Sequence, residues 1–142
     1  MKRTQIQTFT AEWGECDNAG ILFYPNYFRW FDRAAWAYFA AIDLPIPQAM
    51  QQYNTVGIPL VDVNAKFRAP CRYCEPLTIE TRLTSWRERT FELQHRVINQ
   101  GVVAVEGTET RFWGINDPVN VGKLVALPLP EAFIKRFVEL ED

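Results

Sequence analysis

Asp17 lies in a stretch with the make-up of a tight loop held between two regular elements: Glu12-Trp13-Gly14-Glu15-Cys16-Asp17-Asn18-Ala19-Gly20-Ile21-Leu22-Phe23-Tyr24-Pro25-Asn26-Tyr27. Gly20 permits backbone angles that side chains disfavour. Pro25 suits the first turn of a helix, where its missing N–H leaves nothing unpaired. A helix starting there presents free backbone N–H groups around Tyr24. A carboxylate beside such a terminus can attack a carbonyl, or activate water to do so, while the N–H donors stabilise the oxyanion that develops. The alternative for Asp17 is a turn aspartate that binds its own backbone.

The other chemically capable residues are scattered. Cys16 adjoins Asp17 but has no nearby histidine to activate it, so it reads as a packed thiol. Cys71-Arg72-Tyr73-Cys74 has redox or half-zinc spacing. With a single histidine in the chain, and prolines at 70 and 76, it reads as a turn between strands, and no metal is expected. His95 alternates with Phe91, Leu93 and Val97 on the apolar face of a strand, the setting of a satisfied core histidine. Asp32 lies among aromatic residues two turns into the helix, where an ion pair with Arg29 or Arg33 is the plain expectation. Glu12 and Glu15 read as solvated or supporting groups. Arg87-Glu88-Arg89-Thr90 links two strands and offers forked donors suited to phosphate.

The elements that must position these groups follow from periodicity. Residues 4 to 12 alternate and form a first strand at or near a sheet edge. Residues 25 to 42 carry a wide apolar stripe, Tyr27, Phe28, Phe31, Ala34, Ala35, Tyr38, Phe39 and Ile42, which predicts a deeply buried helix. Asp43-Leu44-Pro45-Ile46-Pro47 ends it, and residues 48 to 53 suit a short second helix. Four strands follow: Leu60–Arg68, Leu77–Trp86, Thr90–Asn99 and Val102–Ile115, with strict alternation and short links. Such strands predict an antiparallel sheet with one wet face. Lys123–Leu127 suits a last short strand and Pro130–Leu140 a terminal helix. The layout is α+β, with one curved sheet around one central helix as a consistent arrangement.

Composition bounds the rest. The 142 residues suit one domain, 1–142, able to bury a core without disulfides. A net charge of −2 argues against a nucleic-acid groove. No apolar run approaches the ~20 residues of a membrane span, and no secretory leader is legible, so a cytoplasmic location is expected.

Asp17-Asn18-Ala19-Gly20-Ile21 followed by Phe23-Tyr24-Pro25-Asn26-Tyr27 resembles the 4-hydroxybenzoyl-CoA thioesterase family of hotdog-fold enzymes, and the resemblance runs through nearly the whole chain. It implies hydrolysis of an aromatic acyl-CoA to the acid and free CoA, with the thioester as substrate and no further cofactor. It implies Asp17 as nucleophile or base, the Tyr24 amide on the thioester carbonyl, and close backbone approach at Gly20. It implies Asp32 at the acyl group's ring hydroxyl, with Arg87, Arg89 and Thr90 at the CoA phosphates. Relatives carry a tryptophan where this chain has Pro47, and a threonine where it has Ile58 before Pro59, so a more apolar acyl pocket is expected. Each site is expected between two subunits of a dimer, within a tetramer. An enzyme for short or medium aliphatic acyl-CoA, in the manner of a sister branch, and a non-catalytic acyl-CoA binder are the alternatives. The hydratase members of the class pair an aspartate with a histidine in one short segment, and no such pair occurs here.

Overall fold

A computed structural model describes residues 1–142. In chain order the elements are β1 (Thr4–Thr10), α1 (Pro25–Ala41), α2 (Ile46–Tyr53), β2 (Leu60–Phe67), β3 (Pro76–Trp86), β4 (Thr90–Asn99), β5 (Val102–Asn116), β6 (Leu124–Leu127) and α3 (Glu131–Glu139), with a single 3-10 turn at Trp13–Glu15. The strands form one sheet in the order β1-β3-β4-β5-β2, and β6 pairs with the far end of β5. Every pairing is antiparallel. No helix is long and apolar enough to cross a membrane.

Alternation decides the two faces of the sheet. Leu77, Ile79, Thr81 and Leu83 of β3, and Phe91, Leu93, His95 and Val97 of β4, are buried on the inner face. The outer face carries charges that pair from strand to strand. Arg68, just past β2, meets Glu106 at 2.8 Å, Glu106 meets Arg96 at 3.8 Å, and Arg96 meets Glu80 at 3.2 Å. Pairs of this exposure contribute little each, but they keep the outer face wet and the register unambiguous.

The inner face holds α1. Phe31, Ala34, Ala35, Tyr38 and Phe39 are fully buried, as their spacing predicts. Trp30, not among the residues expected in the stripe, is buried as well, while Phe28 is only partly covered. The helix rests on the sheet at Gly107 of β5. A Cβ there would come within 2.3 Å of the Phe31 ring, so only glycine admits this approach. One end of the core is closed by α3, whose Phe133 and Phe137 pack with Phe39 and Phe91.

The expected elements are present, with shifts at their ends. The second helix starts at Ile46, not at residue 48. Pro47 therefore falls in its first turn, where a proline is tolerated. The segment 71–74 is a turn, with Cys74 in the left-handed region at φ +70°, and all three cysteines are free. β1 lies at one edge of the sheet, as expected, and β2 forms the other. The β2 edge is bare, with Leu60, Val61 and Phe67 about half exposed.

Candidate active site

The loop after β1 is sewn to the turn before β3 and to the start of α1. Leu22 donates its N–H to Cys71 O at 2.7 Å, Tyr73 to Gly20 O at 3.0 Å, and Cys74 to Ala11 O at 2.9 Å. Glu15 ties the other side. Its carboxylate accepts the Glu12 N–H at 3.0 Å and the Trp30 indole N–H at 2.6 Å. Its carbonyl accepts the Phe23 N–H at 2.9 Å and the Asn26 amide at 2.8 Å. Glu15 is thus a clamp between loop and helix. Sequence reading treated it only as solvated or supporting, and the capping pattern around it was the signal available.

Asp17 opens a four-residue turn. Gly20 donates to Asp17 O, and Asp17 donates to Ile21 O, both at 3.0 Å. Gly20 takes φ +73°, and a Cβ there would meet nothing within 4 Å. Within this chain glycine is demanded by conformation, not by close contact. The Asp17 Oδ1 accepts the Ala19 N–H at 2.8 Å, while Oδ2 has no partner and the side chain is exposed. The turn-aspartate reading is therefore fulfilled by one oxygen, and the other is free for chemistry.

Tyr24 caps α1, and no acceptor in the chain takes its backbone N–H. The next residue, Pro25, has none. The Tyr24 amide is thus the unpaired donor of the helix start, and the positive end of the helix dipole lies behind it. Beside it opens a hollow of about 310 Å³ lined largely by Ile21, Leu22, Tyr24, Tyr27, Phe67 and Pro70. Cys16, next to Asp17, is no competing nucleophile. Burial, and then the carboxylates of Glu15 and Asp17, push its thiol up from the ordinary range.

Asp32 departs from expectation. Its partner is neither Arg29 nor Arg33 but Arg111 of β5, at 3.0 Å. Arg111 is buried and also holds Glu109 through Nε and Nη2, both at 3.0 Å, and the Ile58 carbonyl through Nη1 at 2.8 Å. Glu109 continues to His95 Nε2 at 3.0 Å, and His95 Nδ1 meets Thr81 Oγ1 at 2.9 Å. The His95 ring stacks on Phe31 at 4.7 Å between centroids. Burial alone would raise the Glu109 carboxyl, but the hydrogen bonds from His95 and Arg111 outweigh it and hold it below the usual range. Burial would likewise lower Arg111, yet Glu109 and Asp32 keep it above its ordinary value, and charged.

Hydroxyl, imidazole and carboxylate in line are the parts of a nucleophilic triad. Here Thr81, His95 and Glu109 are sealed, at 0%, 0% and 1% exposure, and no substrate reaches them. His95 is a satisfied core residue, as expected. The chain of groups around it went unread in the sequence.

The residues expected at CoA separate. Arg87 and Thr90 line a hollow of about 240 Å³ beside Phe91, and the Arg87 side chain has no partner. Arg89 is committed to the Ala126 carbonyl at 2.8 Å. All three lie at the far end of β3 from Asp17. Its 11 residues span roughly 30 Å, so one copy of the chain does not bring them to the Asp17 loop. Ile58 is buried and Pro59 partly so, next to Arg111. His, Cys, Asp and Glu side chains form no cluster of three able to hold a metal.

Residues 11–137 match the model of the thioesterase-like superfamily. The chain is 35% identical over 141 residues to 4-hydroxybenzoyl-CoA thioesterase of Pseudomonas sp. strain CBS-3, covering 95% of this chain and 98% of that protein. The structure of that enzyme superposes with a TM-score of 0.86 at 34% identity, over 94% and 99% of the two chains. An aspartate-to-asparagine mutant of a 4-hydroxybenzoyl-CoA thioesterase, complexed with 4-hydroxybenzoyl-CoA, gives 0.85 at 34%, over 94% of this chain and 98% of that one. A gentisyl-coenzyme A thioesterase gives 0.81 at 28%, over 95% and 100%. The fold is the hotdog expected from the sequence.

Proposed function

The chain belongs to the thioesterase-like superfamily, and on that premise we propose that it is a cytoplasmic acyl-CoA thioesterase that hydrolyses an aromatic acyl-CoA of the 4-hydroxybenzoyl or benzoyl kind. One observation carries the reading: a carboxylate with a free oxygen, Asp17, and a helix-start amide with no acceptor, Tyr24, are held by one clamped loop beside an apolar hollow. The amide polarises the thioester carbonyl. The Asp17 carboxylate attacks the carbonyl carbon and expels the CoA thiolate, leaving a mixed anhydride that water opens, or it takes a proton from an attacking water. Thiolate leaves readily, so neither route needs a strong acid at sulfur. Carboxylate, amide and water suffice, and the chemistry calls for no cofactor beyond the substrate.

The acyl group is assigned to the region of Asp32, Ile58 and Pro59, and the CoA phosphates to Arg87 and Thr90, with Arg89 beside them. A complete site then requires more than one copy. The bare β2 edge supports this. Two copies pairing through β2 about a two-fold axis run antiparallel, so the Phe67 end of one meets the Leu60 end of the other. The Tyr24 hollow, lined in part by Phe67, then faces the partner's Ile58 and the partner's Asp32. Leu60, Arg111, Phe91 and Trp86 share one row of the sheet, so the same pairing turns the partner's Arg87 end of the sheet toward the Phe67 end of the first copy. Assembly of such dimers into a tetramer is proposed on the family resemblance.

The test is thiol release from benzoyl-, hydroxybenzoyl-, phenylacetyl-, butyryl- and hexanoyl-CoA by the wild type and Asp17→Asn. Aromatic turnover that collapses in the variant supports the proposal. A preference for the aliphatic esters moves the substrate and keeps the mechanism. Binding without hydrolysis in the wild type would make the chain a binder.

A further inference from the structure

Asp32 is the partner that sequence offers to Arg29 and Arg33, and the structure gives it to Arg111. Both arginines are left on α1 with no ion pair and no side-chain hydrogen bond, beside a hollow of about 490 Å³ between α1 and β1. Four residues apart, they stand one turn from each other on the same helix face. Arg33 is not loose. Its guanidinium lies over the Phe9 ring, 4.9 Å from the centroid, and Phe9 stacks on Trp30 at 5.4 Å. A guanidinium held against a ring keeps its fork of N–H donors in one plane. Two carboxylates, Glu12 and Glu15, line the same hollow. Glu15 is committed through both oxygens, to the Glu12 N–H and the Trp30 indole. The Glu12 side chain is exposed and pairs with neither arginine. The hollow therefore holds two free cations and one free carboxylate, in a volume within the range of small-molecule sites. It shares no residue with the Tyr24 hollow, and it lies at the β1 edge, which pairing through β2 leaves open.

We propose that this hollow is a second binding site, for a phosphate monoester with a hydroxylated body: Arg29 and Arg33 hold the phosphate, and Glu12 accepts from a hydroxyl. Two guanidinium forks match the oxygens of a dianion. The carboxylate opposite them repels a bare phosphate and favours one that brings hydroxyl donors with it. The ligand chemistry is that of a sugar phosphate, either free or as the 3′-phosphate of CoA. The site stands whether or not the chain hydrolyses a thioester.

The test is calorimetry on the whole chain with ribose 5-phosphate, inorganic phosphate and ribose, at fixed ionic strength. Ribose 5-phosphate should bind, phosphate should bind about tenfold more weakly, and ribose should not bind. Arg29→Gln and Arg33→Gln should each weaken ribose 5-phosphate about tenfold, the loss of a hydrogen bond to a charged group. Arg87→Gln should change nothing. Glu12→Gln should remove the advantage of the sugar phosphate over phosphate, because the repulsion and the hydroxyl acceptor go together. Circular dichroism checks each variant's fold, and the exposed Arg29 keeps the test independent of whether Arg33→Gln disturbs the Phe9 stack. Displacement by CoA assigns the site to the CoA 3′-phosphate, and its absence to a separate phosphorylated metabolite; both support the phosphate site. No binding of ribose 5-phosphate, undiminished affinity in folded Arg29→Gln, or an equal loss in Arg87→Gln would overturn the proposal. So would equal affinity for phosphate and ribose 5-phosphate in the wild type, which marks an adventitious ion only.

Discussion

Asp17 has one oxygen committed to its own turn and one free, and that division fixes what its loss should do. Asp17→Asn keeps an oxygen for the Ala19 N–H, so the turn should survive while kcat falls by about 10³-fold and KM changes far less. A single turnover in ¹⁸O-water then tests for direct attack. Direct attack followed by water opening the anhydride at the Asp17 carboxyl carbon puts the label into Asp17 and releases unlabelled acid, so label in Asp17 identifies that route, whereas water activation, like opening at the acyl carbon, labels the acid. Glu15→Ala should lower kcat about tenfold with little change in KM, because its carboxylate fixes the loop and the Trp30 indole without touching substrate. The Glu109 carboxyl lies below its ordinary 4.5 in the folded chain. Its contribution to stability is present above that value and drains as pH falls through the folded one. Glu109→Gln should therefore flatten the acid limb of a stability–pH curve, measured by urea unfolding between pH 7 and 3. Asp17 and Tyr24 were legible because turn, proline and helix start are neighbours in sequence. The partner of Asp32 was not, because Arg111 lies 79 positions away, and periodicity carries no information about which charge faces which.

The elements were legible for a similar reason: helix and strand write their periods locally. The stripe of α1 gave its buried face, and the inner residues of β3 and β4 gave theirs. Trp30, three residues after Tyr27 and four before Ala34, lies on the same stripe and could have been included in it; it packs on Phe9 and Tyr27 in the core. How closely α1 seats on the sheet was not legible either, since a glycine in a strand has several causes. That seating has a measurable consequence. Gly107→Ala would press a methyl into Phe31 and meet Asn64 O at 3.1 Å. It should lower stability by about 1–3 kcal/mol, read from thermal or urea unfolding. It should also reduce kcat, since α1 carries both the Tyr24 amide and Asp32, while a cavity-forming change at Phe133 should cost stability alone.

At the scale of the whole molecule, β2 is an exposed sheet edge, the one through which the proposed dimer would form. A proline at position 63 should abolish pairing through that edge and leave monomers in the ultracentrifuge, with thioester hydrolysis lost although the circular dichroism of the fold is retained. Full activity in such a monomer would refute the shared site. The same edge has a bearing on how the chain is made. Once the sheet closes during synthesis, a row of unpaired backbone groups with Leu60, Val61 and Phe67 lies open to any extended peptide. Asp62 and Lys66 put opposite charges along it, a pattern that reads correctly against its own antiparallel copy and poorly against an arbitrary strand. If copies pair there as proposed, the chain would carry the recognition of its own copy on its most open edge, and the concentration of newly made copies would set how long that edge stays uncovered.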